Sequence, residues 1–354
     1  MKIYPVQKIL NSKQGINFLL VHTGQHYDYN MNKLFFNDLH ISPPDYYLNA
    51  KDESEAKTIA NIIYKFDEIL TIERPDLILV VGDVDSTLAC AIASNKKGIK
   101  IAHIEAGLRS YDKIMPEEIN RIITDQLSEY LFITEIQAED NLLKEGIPKN
   151  KIHLVGNVMI DTLCSILPQI KVSKLILPET TNNKYITTTF HRIANVDNIE
   201  QLKQIIKILR AASEMIPIVF PIHPRTKKNL IKYGLYKDIK EINNIHIISP
   251  LGYIKFIKLL MHSEAIITDS GGIQSEAYFL GIPCLILRDK TEHQSTQLNS
   301  QNFLIPNLNL KTVLNKLKIA LSSKDNNRNL IYNWDGNTAK RIVDIILNRQ
   351  NIPN

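Results

Sequence analysis

Cysteine is scarce in this chain: Cys90, Cys164 and Cys284 are the only three among 354 residues, each in an apolar context without a near partner. An odd number with no C-x-x-C spacing excludes a disulfide framework and reads as small buried hydrophobes in a reducing compartment. No apolar run approaches the roughly 18 residues of a membrane span. Pro5 and Gln7 interrupt any signal-peptide core at the start, so a cytoplasmic setting is expected. Basic runs and basic–aromatic stripes are missing too. The formal charge of +5 suits an anionic substrate without calling for nucleic acid. Neither G-x-x-x-x-G-K-[ST] nor G-x-G-x-x-G occurs, which argues against a P-loop or nicotinamide enzyme. His22 and His26 are four apart, but Gly24 turns the chain between them and no H-E-x-x-H is present, so no metal site is expected. Ser270 lacks the G-x-S-x-G elbow of a hydrolase nucleophile.

What is there is an ordinary globular composition, 44% hydrophobic and 22% charged, at a length that suits two domains. Short apolar runs at 16–21, 76–81, 100–104, 130–133 and 152–155 alternate with helical patterns such as 54–70 and 117–127. The polar stretch 172–184, with Pro178, reads as a linker, after which the alternation restarts. Strands are expected at 185–189, 217–220, 246–248, 265–268 and 283–287, and helices at 198–216, 253–262 and 273–280. Continuously apolar strands separated by helices imply parallel sheets covered on both faces. The expected fold is therefore α/β, with two doubly wound Rossmann-like domains at 1–171 and 172–337. The last helix, within 338–354, is free to join the first domain. A cleft between the domains, at the carboxyl ends of the strands, is the expected site.

Strand after strand ends in a tight polar cluster: Thr23-Gly24-Gln25-His26, Gly82-Asp83-Val84-Asp85, Glu105-Ala106-Gly107-Leu108-Arg109, His191-Arg192, His223-Pro224-Arg225 and Asp269-Ser270-Gly271-Gly272. One such cluster merely caps a helix; six on the same strand ends point to a ligand. Gly271 and Gly272 let a ligand approach backbone N–H groups at a helix start, which makes an anion site. Glu276, one turn on, is placed to accept from ribose hydroxyls. Asp83, Glu105 and Glu117 are three acids of the N-terminal half, two of them at strand ends and the third at a helix start. Asn120 and Arg121 follow Glu117 on one helix.

The motifs H-T-G-Q-H, H-I-E-A-G-L-R-S, P-E-E-I-N-R, V-G-N-V-M-I-D-T-L, P-I-H-P-R-T and T-D-S-G-G-I-Q-x-E-A, in this order, resemble the non-hydrolysing UDP-N-acetylglucosamine 2-epimerases over about residues 2–288. The resemblance implies a glycosyltransferase-B-type fold with UDP in the interdomain cleft, and a homodimer serving envelope or capsule polysaccharide synthesis. The implied chemistry is elimination of UDP and its re-addition after the proton returns to the other face of carbon 2, with no cofactor. By the same resemblance Asp83, Glu105 and Glu117 match the catalytic acids and His191 the histidine at the departing phosphate. Ser270, Gly271, Gly272 and Glu276 match the UDP loop and ribose contact, and Phe256 lies on the uracil side. Lys2, Arg109 and Arg121 are supporting substrate-binding residues. His26 matches a histidine near the sugar and, in some members, an activator site for a second UDP-sugar.

The chain also departs from the family. It begins inside the helix that normally follows a first strand and a G-T-R-P-E loop, so the first strand of the N-terminal domain is expected to be missing. H-R-x-E-N reads His191-Arg192-Ile193-Ala194-Asn195, T-E-R-P reads Thr291-Glu292-His293-Gln294, and Ser275 replaces an acid. A weakly stable chain with little activity is the resulting expectation. Partial closure of the sheet by pairing 16–21 with 76–81 is the remedy the pattern offers. Rival readings are a hydrolysing epimerase that releases free N-acetylmannosamine, an inactive homologue that only binds UDP-sugar, and a glycosyltransferase of the same fold.

Overall fold

The computed structural model describes residues 1–24, 38–39, 41–175, 177–178, 184–297, 301–322 and 331–350. The chain divides into two compact units, Met1–Ser165 with Ile331–Asn354, and Ile166–Leu330. Among the described residues no helix is long and apolar enough to cross a membrane.

In unit 1, β1 (Val21–His22) and β2 (Tyr46–Tyr47) form a short parallel ladder. A second parallel sheet runs in the order β3 (Leu77–Val81), β4 (Lys100–Ala106), β5 (Tyr130–Ile133), β6 (Ile152–Leu154). Helices cover both faces, so β5 is buried along its whole length. On one face Val6 and Leu10 of the helix Tyr4–Leu10 pack with Ile342, Val343 and Leu347 of the final helix, Thr338–Gln350. The final helix thus belongs to the first unit. On the other face lies the helix Glu55–Glu73, capped by the Ser54 side chain, which accepts from the Lys57 N–H. Its Ile62, Phe66, Ile69 and Leu70 recur at helical spacing and fill the core with Val80, Ala89 and Ile101.

The expected pairing of 16–21 with 76–81 is not made. The carbonyls of Leu20 and His22 accept from Asp45 and Leu48, and Asp45 Oδ2 takes the Leu20 N–H at 2.7 Å, which commits β1 to β2. Among the described residues β3 has one ladder partner, β4. Between β3 and residues 17–23 lies a cavity of about 360 Å³, lined among others by Phe18, Leu20, Val21, Phe66, Ile69 and Leu79.

Unit 2 holds a six-stranded parallel sheet: β7 (Ile186–Thr189), β8 (Ile218–Pro221), β9 (Ile245–Ile248), β10 (Ala265–Thr268), β11 (Cys284–Ile286) and β12 (Asn302–Leu304), in the order β12-β11-β10-β7-β8-β9. Its first strand sits in the middle, and the order reverses between β7 and β10. A doubly wound sheet opens its ligand crevice at such a point. The division between units falls inside the helix Val158–Val172, which carries Pro168, and not in the polar stretch after it.

Candidate active site

In unit 1 the polar clusters lie at the ends of β3 and β4. β4 shifts register between Ile104 and Ala106, and the residue between them, Glu105, has φ +73°. A bulge re-aims a side chain, and holding a non-glycine residue in this region costs about 1–3 kcal/mol, a strain met mostly at functional sites. The Glu105 carboxylate, 5% exposed as a residue, forms an ion pair with Lys2. Gly82, at φ +74°, brings the end of β3 against them: a Cβ there would stand 3.1 Å from Lys2 Nζ. The next residue, Asp83, pairs with Arg121, and Asn120 Nδ2 donates to the Asp83 carbonyl at 3.0 Å and to Asp85 Oδ1 at 3.0 Å. Arg121 is anchored from behind by Glu118 at 2.6 Å. Glu118 also accepts from the Ser110 and Tyr111 N–H groups at 2.9 and 2.8 Å. Burial works against its charge, but these donors and Arg121 hold its carboxyl below the usual range. Glu117 stands half-buried in the first turn of the same helix, Pro116–Leu127.

In unit 2 the ends of β7 and β10 are joined through Asp269, which is fully buried. Asp269 accepts the backbone N–H groups of His191 and Arg192, both at 3.1 Å, and the Asn195 amide at 3.0 Å. Its Oδ1 lies 3.2 Å from His191 Nδ1. Burial opposes its charge, but His191, Asn195 and the Arg192 N–H outweigh it and hold the carboxyl below its usual range. Asp269 therefore fixes the loop that presents His191, whose side chain is 41% exposed. Ser270 caps the helix Gly271–Leu280 by accepting the Ile273 N–H. Gly271 keeps room for Glu292: a Cβ there would lie 2.7 Å from Glu292 Oε1, so that carboxylate would have to shift. Glu292 is paired with Arg288 at 2.7 Å and Arg192 at 3.5 Å. Despite burial, those cations and His293 keep it well below the usual carboxylate range. The helix start thus offers glycine backbone and a helix dipole, which suit an anion, while the two arginines close by are held by Glu292. One turn on, Glu276 is buried and accepts from Tyr253 Oη at 2.6 Å. Burial pushes its carboxyl up to about 7, and the single tyrosine bond offsets only part of that rise.

The sequence-predicted residues therefore gather into two sets. Lys2, Asp83, Glu105 and Arg121 meet around Gly82, with Glu117 on the helix that carries Arg121. His191, Ser270, Gly271 and Gly272 surround the ends of β7 and β10, and Glu276 follows on the Gly271–Leu280 helix. Phe256 lies half-buried on the helix Tyr253–Met261, whose first residue touches Glu276. Arg109 departs from its reading as a substrate-binding residue. It is 1% exposed and directs its donors to Asp125, Glu145 and the Leu108 carbonyl, so it braces the β4 loop from inside. His26 lies outside the described residues. Sequence reasoning missed Tyr253, Arg288 and the anchoring role of Asp269. For Asp269 a signal existed, since a buried acid preceding the helix-capping serine needs donors from a neighbouring strand end.

A family model described as UDP-N-acetylglucosamine 2-epimerase matches residues 8–347. A UDP-N-acetylglucosamine 2-epimerase of Methanococcus maripaludis is 42% identical over 352 residues, 98% of this chain and 94% of its own. A UDP-2,3-diacetamido-2,3-dideoxy-D-glucuronate 2-epimerase of Pseudomonas aeruginosa is 39% identical over 295 residues, 82% of this chain and 81% of its own. The crystal structure of Methanocaldococcus jannaschii UDP-GlcNAc 2-epimerase, in complex with UDP-GlcNAc and UDP, aligns with a TM-score of 0.90 at 38% identity, covering 98% of this chain and 96% of that one. A lipopolysaccharide outer core galactosyltransferase aligns with a TM-score of 0.56 at 13% identity, which speaks to the fold alone.

Proposed function

The chain belongs to the UDP-N-acetylglucosamine 2-epimerase family, and on that premise we propose that it interconverts UDP-N-acetylglucosamine and UDP-N-acetylmannosamine in the cytoplasm. The observation that carries this reading is the pairing of two acid–cation stations at neighbouring strand ends of unit 1, Asp83 with Arg121 and Glu105 with Lys2.

Inversion at carbon 2 needs a group to remove the proton on one face and a group to return it on the other. Asp83, Glu105 and Glu117 supply the carboxylates. One takes the proton from carbon 2 while the bond from carbon 1 to the diphosphate oxygen breaks and its electron pair leaves with UDP. A second delivers a proton to the opposite face, and the diphosphate oxygen re-forms the bond to carbon 1. Because the carbon-2 proton is weakly acidic, departure of UDP must accompany its removal. The helix start at Gly271 and Gly272, with Ser270 and His191, stabilises the developing diphosphate charge. Glu276 takes the ribose hydroxyls and Phe256 lies beside the base. A homodimer is part of the same reading, supported by the exposed apolar side chains of Ile119 and Ile123, one turn apart on the helix Pro116–Leu127, and of Ile114 just before it; light scattering that shows only monomers would remove it.

The test is incubation with UDP-N-acetylglucosamine in heavy water, followed by NMR. Expected are UDP-N-acetylmannosamine and deuterium at carbon 2. Free N-acetylmannosamine as main product would establish a hydrolysing enzyme instead. UDP binding without turnover would establish an inactive homologue, and turnover of a 2,3-diacetamido sugar alone would move the substrate to that of the Pseudomonas relative.

A further inference from the structure

Between the two acid-bearing loops of unit 1 lies a histidine for which the reaction above has no use. His103, in β4, is fully buried. Its Nδ1 lies 2.6 Å from Asp125 Oδ1 and its Nε2 lies 2.8 Å from the Gly82 carbonyl oxygen. A carbonyl only accepts, so Nε2 carries a hydrogen. Asp125, itself fully buried, accepts on its other oxygen the Gly107 N–H at 3.1 Å and Arg109 Nη2 at 2.7 Å. An ionised carboxylate held by such donors also only accepts, so the shared hydrogen sits on Nδ1. Both ring nitrogens therefore donate. A neutral ring satisfies only one of these acceptors.

The acceptor at the far end is specific. Gly82 immediately precedes Asp83, and its own N–H donates to the Ile104 carbonyl at 3.0 Å, immediately before Glu105. The His103 ring thus holds one side of Gly82 while the Ile104 carbonyl holds the other. We propose that His103 is a positioning residue, doubly protonated and backed by Asp125 and Arg109, that sets the Asp83 loop against Glu105. This rests on the reading of those two carboxylates as the proton-transferring groups. Misplacing a reacting group by about 1 Å costs on the order of 100-fold in rate. A histidine that merely fills space leaves the rate alone.

The experiment has two arms. In the first, protein labelled with ¹⁵N-histidine is examined by NMR at neutral pH, and the His103 signals are assigned by their loss in His103→Gln. Two N–H-type ring nitrogens are expected; one unprotonated ring nitrogen overturns the proposal. In the second, His103→Gln retains one donor towards Gly82 or Asp125 but not both. Expected are a kcat lower by about 10- to 100-fold, KM within about twofold, and a matching fall in deuterium uptake at carbon 2. Unchanged kcat, or a loss confined to KM, overturns the proposal. If the variant does not fold, the His103 signals are assigned instead by through-bond correlation to the backbone of the unaltered protein, and the first arm decides. If the unaltered protein shows no exchange at carbon 2, the epimerase reading fails while the NMR arm still reports on His103.

Discussion

The two units put acids at the carboxyl ends of parallel strands, but they hold them differently. In unit 1 the acids meet side-chain cations: Asp83 with Arg121, Glu105 with Lys2, Asp125 with Arg109. In unit 2 Asp269 meets mainly the backbone N–H groups of His191 and Arg192 and the Asn195 amide, with the His191 ring alongside, and Glu276 meets Tyr253. Glu292, held by Arg288, and Asp197, held by Arg225, do meet side-chain cations. Flexible cations such as Lys2 yield to a substrate and let a carboxylate change its proton. Backbone amides stay where they are, which suits recognition of a charge that is constant until it departs. Under the proposed function, this contrast would leave proton traffic to unit 1 and nucleotide recognition to unit 2.

The sharpest way to break that division is to neutralise one acid. Asp83→Asn or Glu105→Gln should lower turnover by about 10²- to 10⁴-fold, while calorimetry finds UDP affinity within about twofold of the unaltered protein. A comparable loss of UDP affinity would mean that the two units do not divide the work.

A smaller effect, and one confined to unit 2, comes from Glu276. Its carboxyl rises from an ordinary 4.5 to about 7 on folding. The native state then binds the proton more tightly than the unfolded chain. Stability from this group is fully present below about pH 4.5, falls as pH rises, and has been lost by about pH 7. The span amounts to about 3 kcal/mol at most. Urea unfolding of Glu276→Gln, compared with the unaltered chain at pH 5 and pH 8, should show the variant gaining relative stability at the higher pH. Parallel stability curves for the two proteins would show that Glu276 is solvated.

The smallest change concerns the anion site. Gly271→Ala brings a Cβ against Glu292 and must push that carboxylate away from Arg192 or Arg288, a cost of about 1–3 kcal/mol. UDP affinity should fall by roughly tenfold, with kcat at saturating substrate preserved. A fall in kcat without change in affinity would place Gly271 in the chemistry.

Most strand ends were legible because buried parallel strands are apolar without interruption and their polar terminators stand out; β5 and β10 fall where the pattern places them. Local spacing could not show that Lys2 meets Glu105 across 103 positions, or that Arg109 turns inward. Both depend on which loop the fold brings alongside, and a guanidinium looks the same in sequence whether it meets substrate or Asp125. The division between units was hidden for a related reason. The polar stretch 172–184 with Pro178 suggests a break there, but the division falls earlier, inside the helix Val158–Val172. The short pairing of β1 with β2 went unread because it depends on Asp45, a surface acid like any other until it takes the Leu20 N–H.

The outer edge of β3 bears on how this protein behaves at high concentration. Leu77–Val81 reads Leu-Ile-Leu-Val-Val, with no charge, proline or bulge, and it borders a cavity walled largely by aliphatic and aromatic side chains. Natural sheets guard their margins with lysine, proline or an irregularity that turns a second chain away. β3 carries none of these, and its composition is that of a segment prone to stack with copies of itself. A lysine placed in β3 is therefore expected to lower any tendency of this chain to associate through that margin, which concentration-dependent light scattering of the unaltered and altered proteins would check.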